Sequence, residues 1–163
     1  MRRQVRCAWP YFLLLLVPLA VYWPTVFHEY GFRDDYAHLR EAREMPGHLF
    51  RFTASYARPI YGALLVATVA PLRGDVANLQ WLRLASVVLL VLVAVLLMRL
   101  LRRSGWPRFE ATAVSLGITV LPAAQVTVGW SIAWPLAAAL LASIGGFAAT
   151  DAALARSGLS RLP

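Results

Sequence analysis

Residues 79–101 read LQWLRLASVVLLVLVAVLLMRLL. No charged residue stands between Arg83 and Arg99, and most of the intervening positions are Leu or Val. Crossing about 30 Å of hydrocarbon takes roughly 20 mostly apolar residues, so this stretch reads as a transmembrane helix. Three others approach it in length and character: Trp9–Phe27, Ala111–Trp130 and Ile132–Thr150. Pro59–Leu72 is apolar too, but too short to span comfortably. Composition agrees. Of the 163 residues, 60% are hydrophobic and 15% charged, whereas a soluble domain carries about 25% charged residues. The expected fold class is an all-α membrane protein. Its 163 residues form one module with about four transmembrane helices, at 9–27, 79–101, 111–130 and 132–150, and an outer-face loop of juxtamembrane helices between the first and second.

The net charge is +8, and all sixteen basic residues are arginines. In a soluble chain this balance would suggest nucleic acid. Here most arginines lie between apolar runs, so membrane topology accounts for them, and the expected partner is the lipid bilayer with no nucleic acid. Positively charged loops stay in the cytoplasm. Arg2, Arg3 and Arg6 precede the first run, Arg99, Arg102, Arg103 and Arg108 form the densest cluster, and Arg156 and Arg161 follow the last run. One arrangement puts all of these inside. The N-terminus is then cytoplasmic, residues 28–78 form the outer loop, and the last two spans turn outside near Gly129–Ser131. This arrangement requires that helix 59–72 does not cross; otherwise Arg99–Arg108 would be stranded outside. The six arginines of the outer loop, up to Arg73, count against it. Abundant Ala, Leu and Arg without any Lys suggests a GC-rich bacterial genome, and hence the bacterial inner (plasma) membrane. The basic start and the apolar core Tyr11–Val17 also fit a signal peptide. Pro18-Leu19-Ala20 is a poor cleavage site, however, and the apolar run continues to Phe27, so a retained span is expected. The single cysteine, Cys7, excludes an internal disulfide and any CxxC metal spacing.

Within the outer loop, Phe32, Tyr36, Leu39 and Met45 recur at helical spacing with Arg40, Glu41, Arg43 and Glu44 between them. This reads as an amphipathic helix ended by Pro46-Gly47. Leu49, Phe50, Phe52 and Tyr56 then make a short aromatic segment that stops at Arg58-Pro59. Trp and Tyr near the ends of the apolar runs fit interfacial belts.

The stretch richest in potential chemistry is Gly31-Phe32-Arg33-Asp34-Asp35-Tyr36. The pair of carboxylates has two readings. In one, Asp35 is the N-cap of a helix starting at Tyr36 and Asp34 favours the same helix dipole. In the other the pair is functional, since capping uses one carboxylate and does not need the second. His28, His38 and His48 are ten residues apart, which does not place them on one helical face, so they read as interfacial or solvated. Gln125, near the outer end of the third run, contacts either a substrate or another helix.

A first span, an outer acidic pair followed by an aromatic, a helix, and then an x-Pro-aliphatic-Tyr segment: this order resembles the N-terminal part of the GT-C superfamily of membrane glycosyltransferases, which includes protein O-mannosyltransferases and aminoarabinose transferases. Asp34-Asp35 resembles their outer acidic pair. Arg58-Pro59-Ile60-Tyr61 is similar to the segment that opens a surface helix. Gly74 and Arg83-Leu84 resemble the loop and Arg-Leu pair leading into the next span, Arg99–Arg108 their basic cytoplasmic turn, and Pro122 the proline of the span that follows. The likeness runs from about Trp9 to Ala149. It lies in the order of short motifs, and it reaches only the N-terminal module of enzymes that have many more spans. The chain is therefore expected to be incomplete relative to that family.

The resemblance implies transfer of a sugar from a polyprenyl-phosphate donor to an acceptor, of unknown identity, at the outer face. Asp34 would be the general base that takes the acceptor's proton. Asp35 would position the acceptor or bind a divalent cation; no other cofactor is implied. Arg58, with Arg33 or Arg73 as alternatives, would stabilise the departing phosphate, for which a permanently charged planar fork is suited. Tyr61 would join Arg58 and Arg33 in binding substrate. The plain reading of each arginine is a side chain snorkelling to lipid headgroups. The rival functions are a non-catalytic small membrane subunit and a transporter fragment. The spans are nearly devoid of the intramembrane polar residues that a transporter uses.

Overall fold

The computed structural model describes residues 2–45 and 47–157. Pro46 and Arg161 lie outside the described residues, as do the side chains of Arg2, Arg3, Arg6 and Cys7. The described residues are predominantly helical and contain no strand. The helices are α1 (Arg2–Phe27), α2 (Arg33–Glu44), α3 (His48–Ser55), α4 (Pro59–Val69), α5 (Leu79–Arg103), α6 (Arg108–Val120), α7 (Pro122–Gly129) and α8 (Trp134–Ser157). Short 3-10 turns cover Ala70–Leu72, Val76–Asn78 and Ser131–Ala133.

Three helical stretches, Ala8–Phe27, Val76–Arg103 and Ser131–Arg156, are long and apolar enough to cross a membrane. Their outer faces carry exposed Phe12, Leu16, Trp23, Leu92, Leu136, Leu140 and Phe147. A monomeric soluble protein rarely shows so much contiguous apolar surface, whereas lipid chains cover it without cost.

Helix α5 is the axis of the bundle, packing against α1, α6, α7 and α8. Three apolar clusters mark its length. Leu79 and Leu82 at its start pack with Leu39, Leu49, Leu65, Val69 and Ile132. Val87 and Leu90 pack with Tyr22, Val26, Ala124, Val128 and Ala137. Ala94 and Met98 pack with Leu14 and Ala111. Along α1 the order is Leu14 then Tyr22 and Val26, the reverse of that along α5, so the two helices are antiparallel. By the same reasoning α6 and α7 together run from the Met98 end back to the Leu79 end. In α8, Ala137 belongs to the middle cluster and Gly145 lies against Leu96, so α8 descends beside α5.

The third apolar run, expected as one helix over 111–130, is instead broken. Helices α6 and α7 meet at 49° and pass the length and hydropathy requirement for a span only as a pair. Pro122 disfavours a helical backbone at the preceding residue, and Leu121 is extended at φ −63°, ψ 156°. Pro122 then opens α7, where its missing N–H costs nothing. The break leaves carbonyls of the last α6 turn without helical partners; the Tyr22 hydroxyl donates to that of Thr119 at 2.7 Å.

The helix expected to start at Tyr36 starts at Arg33. Asp35 is therefore the third residue of α2 rather than its N-cap. The aromatic segment is the helix α3, which turns sharply into α4. Ala57 sits in the left-handed region at φ 57°, and the Arg58 and Ala57 N–H groups donate to the carbonyls of Thr53 and Ala54. This is the helix-ending arrangement usually built on glycine. Helix α4 has 11 residues, about 16 Å long at 1.5 Å per residue, well short of the hydrocarbon thickness. Its close approach to α3 depends on Gly62, where a Cβ would sit 1.8 Å from Thr53 Oγ1. Tyr61 donates to the Ile132 carbonyl at 3.1 Å and Trp134 Nε1 to Thr68 Oγ1 at 3.3 Å. These bonds tie α4 to the α7–α8 junction.

Candidate functional site

The two adjacent aspartates end up in different surroundings. Asp35 is 0% exposed. Its Oδ2 accepts from the Phe32 N–H at 3.0 Å, capping the first turn of its own helix, and its Oδ1 accepts from the Ile132 N–H at 3.3 Å. One carboxylate thus joins the start of α2 to the turn between α7 and α8, 97 residues away. Burial raises its pKa. The N–H groups of Phe32, Ile132 and Ser131 and the charge of Arg83 all act in the opposite direction, and burial outweighs them.

Arg83, the second half of this arrangement, is 1% exposed. Nη1 donates to the His28 carbonyl at 2.9 Å, and Nη2 donates to that of Tyr30. The guanidinium also lies 4.1 Å from the Tyr30 ring centroid. Edge-on contacts continue from Tyr30 to Phe32 and from Phe32 to Trp130. The connector 28–32 is therefore clamped between α5 and the end of α7. A planar fork can hold two carbonyls at once; an ammonium holds them less well. Sequence reasoning gave Arg83 only a place in a motif. The available signal was its position, a lone arginine a few residues inside the most apolar run of the chain.

Asp34 is exposed, and among the described residues nothing hydrogen-bonds to its carboxylate. It stands on the wall of a cavity of about 600 Å³. Arg58 and Tyr61 share that cavity with it, so the structure brings together three of the five residues singled out from the sequence. Arg33, exposed at the first position of α2, is not part of the lining, and neither is Asp35. The remaining wall is largely apolar and aromatic, with Phe52 from α3, Ile60 and Leu64 from α4, Trp130 just after α7, and Pro135, Leu136 and Ala139 from α8. Apolar walls with a few convergent polar groups are the usual build of a small-molecule site. Burial raises the Tyr61 hydroxyl's pKa. The nearby Arg58 charge lowers it, and the two aspartates raise it further.

His38 also lines the cavity. Its Nδ1 lies 2.6 Å from the Asp34 carbonyl. A carbonyl only accepts, so Nδ1 carries a proton in this contact. The ten-residue histidine spacing gave no hint of this; the signal was the i, i+4 relation to Asp34. Gln125, in α7, donates across the break to the Val120 carbonyl at the end of α6 at 3.4 Å, and lies away from the cavity. Among the described residues no three His, Cys, Asp or Glu side chains converge as a metal site would require.

No protein-family model matches the chain, and no curated protein or solved structure matches it either.

Proposed function

We propose that this chain is the N-terminal module of a polytopic membrane glycosyltransferase of the GT-C kind, moving a sugar from a polyprenyl-phosphate donor to an acceptor at the outer face of a bacterial inner membrane. The observation that carries the reading is the contrast between the aspartates. Asp35 is spent on the fold, while Asp34 is free in an apolar cavity beside Arg58 and Tyr61. In this reading the acceptor hydroxyl or amine attacks the anomeric carbon and Asp34 takes its proton. The bond from that carbon to the phosphate oxygen breaks, and polyprenyl phosphate leaves with its charge facing Arg58. The apolar wall from Ile60 to Ala139 suits the first isoprene units. Asp35 is given no part in binding acceptor or cation, because its oxygens already serve backbone donors; it positions Asp34 through α2.

The topology proposed with it has four spans, α6 and α7 counting as one. The N-terminus is cytoplasmic and residues 28–78 lie outside. Its support is that the Arg99–Arg108 turn and the N-terminal part of α1 meet at the end of the bundle opposite the cavity.

The reading is tested with farnesyl phosphate as probe and with sugar transfer in membranes that contain the complete enzyme. Asp34→Asn is expected to leave probe binding and protein level unchanged while transfer falls by at least a hundredfold, the scale of a lost general base. Arg58→Gln is expected to weaken probe binding about tenfold, as removal of one charge-assisted contact does. Unchanged transfer in Asp34→Asn would remove the base assignment and leave a non-catalytic membrane subunit as the better reading.

A further inference from the structure

The end of the bundle opposite Asp34 holds a second cavity, of about 490 Å³, between the N-terminal part of α1, the last turns of α5 and the start of α6. Arg99, Arg102, Arg103 and Arg108 all line it, and among the described residues no carboxylate does. Glu110, the acid nearest in sequence, is exposed on the first turn of α6 and outside the lining. The floor is apolar. Pro10 and Met98 are buried there, and Met98 continues into the cluster of Leu14, Ala94 and Ala111.

Two of the arginines are already oriented. The Arg99 guanidinium lies 5.8 Å from the Tyr11 ring centroid, and Arg102 Nη1 donates to the Trp106 carbonyl at 2.6 Å. The like charges of Arg99, Arg102 and Arg103 around one cleft repel each other unless an anion lies among them. A basic loop that only sets topology needs no concave site; a count of charges near the span suffices. Trp106 and Phe109, on either side of Arg108 in the chain, are exposed, as aromatic side chains are at headgroup depth.

A cationic rim on an apolar floor, at the end of helices of membrane-crossing length, points to one class of ligand. We propose that this cleft binds the phosphate headgroup of an anionic phospholipid, whose acyl chains run along α1, α5 and α6. The arginines offer forks matched to phosphate oxygens. The site is separate from the Asp34 cavity and does not depend on the activity proposed for it.

The test uses the full chain purified in a nonionic detergent, with thermal unfolding followed by circular dichroism during lipid titration. Phosphatidylglycerol or cardiolipin is expected to raise the unfolding temperature in a saturable way, and phosphatidylcholine is not. In Arg99→Gln/Arg103→Gln the apparent affinity is expected to fall about fivefold for each arginine removed, or about thirtyfold in all. An equal response to phosphatidylcholine, or undiminished affinity in the variant, would overturn the proposal. The same saturation by millimolar inorganic phosphate would also overturn it, by making the ligand a soluble anion. A photoreactive phosphatidylglycerol on the unaltered chain covers the case in which the variant does not fold. Cross-links on peptides 9–12 and 98–109 support the site; cross-links spread evenly over the helices, or at the α2–α4 end, refute it.

Discussion

Asp34 and Asp35 point into different parts of the molecule because adjacent helical residues are about 100° apart around the axis. That rotation turns one carboxylate to the cavity and the other to the backbone donors of Phe32 and Ile132. Asp35→Ala leaves buried N–H groups without an acceptor and Arg83 without its nearby negative charge. It is expected to cost about 2–4 kcal/mol, read as a lower unfolding temperature in detergent. Asp34→Asn, at an exposed position, is expected to leave that temperature within error. The pH dependence has a definite sign. Burial raises the folded-state pKa of Asp35 above its ordinary value of 3.8, so protonation favours the folded chain. The stability this contributes is fully present below the unfolded value and is lost as pH rises through the raised one. Relative to Asp35→Asn, the unaltered chain is therefore expected to gain stability on acidification; a loss would contradict the assignment. The sequence did reveal that two adjacent carboxylates exceed what capping needs. Which of them is buried depends on Ile132, 97 positions further on, and no local pattern carries that.

At the scale of elements, the helices themselves were largely legible, since each follows from an apolar run or a helical spacing. The misreadings have local causes. Helix α2 starts earlier than its sequence suggests because Phe32 carries no side-chain acceptor, and the cap is made in reverse, by Asp35 reaching back to the Phe32 N–H. The run 111–130 reads as continuous although Pro122 stands within it; in a membrane helix proline is often absorbed, as Pro10, Pro18 and Pro24 are inside α1. The contact of α3 with α4 was invisible because it rests on a missing side chain. Gly62→Ala would drive a methyl group into Thr53. It is expected to destabilise by about 1–3 kcal/mol, as overpacking does, and to weaken farnesyl phosphate binding by moving Arg58. Thr53→Ala in the same chain should recover part of the loss. An additive or greater loss in the double variant would show that the two residues do not meet.

Over the whole molecule, α5 organises the chain. Its first residues hold the α2–α4 layer, its middle holds α1, α7 and α8, and its last turns carry the arginine cleft. The two candidate sites therefore lie at opposite ends of one helix of 25 residues, about 37 Å long, enough to separate two membrane faces. The long apolar runs made the span-forming helices readable. The cavity was not readable, because its wall joins α2, α3 and α4 to residues of α8 that lie about seventy to a hundred positions further along the chain.

The proposed topology puts the Asp34 cavity and the arginine cleft on opposite sides of a membrane. The most direct measurement is labelling of single cysteines in intact cells with an impermeant maleimide, after Cys7→Ser, at Ala37, Ala57, Ala77 and Ser104 in turn. Labelling at the first three positions and protection at Ser104 is the predicted result, with residues 28–78 on the outer face and α4 not crossing. Labelling at Ser104 with Ala77 protected would mean that Pro59–Leu72 spans the membrane, and would refute the proposed topology.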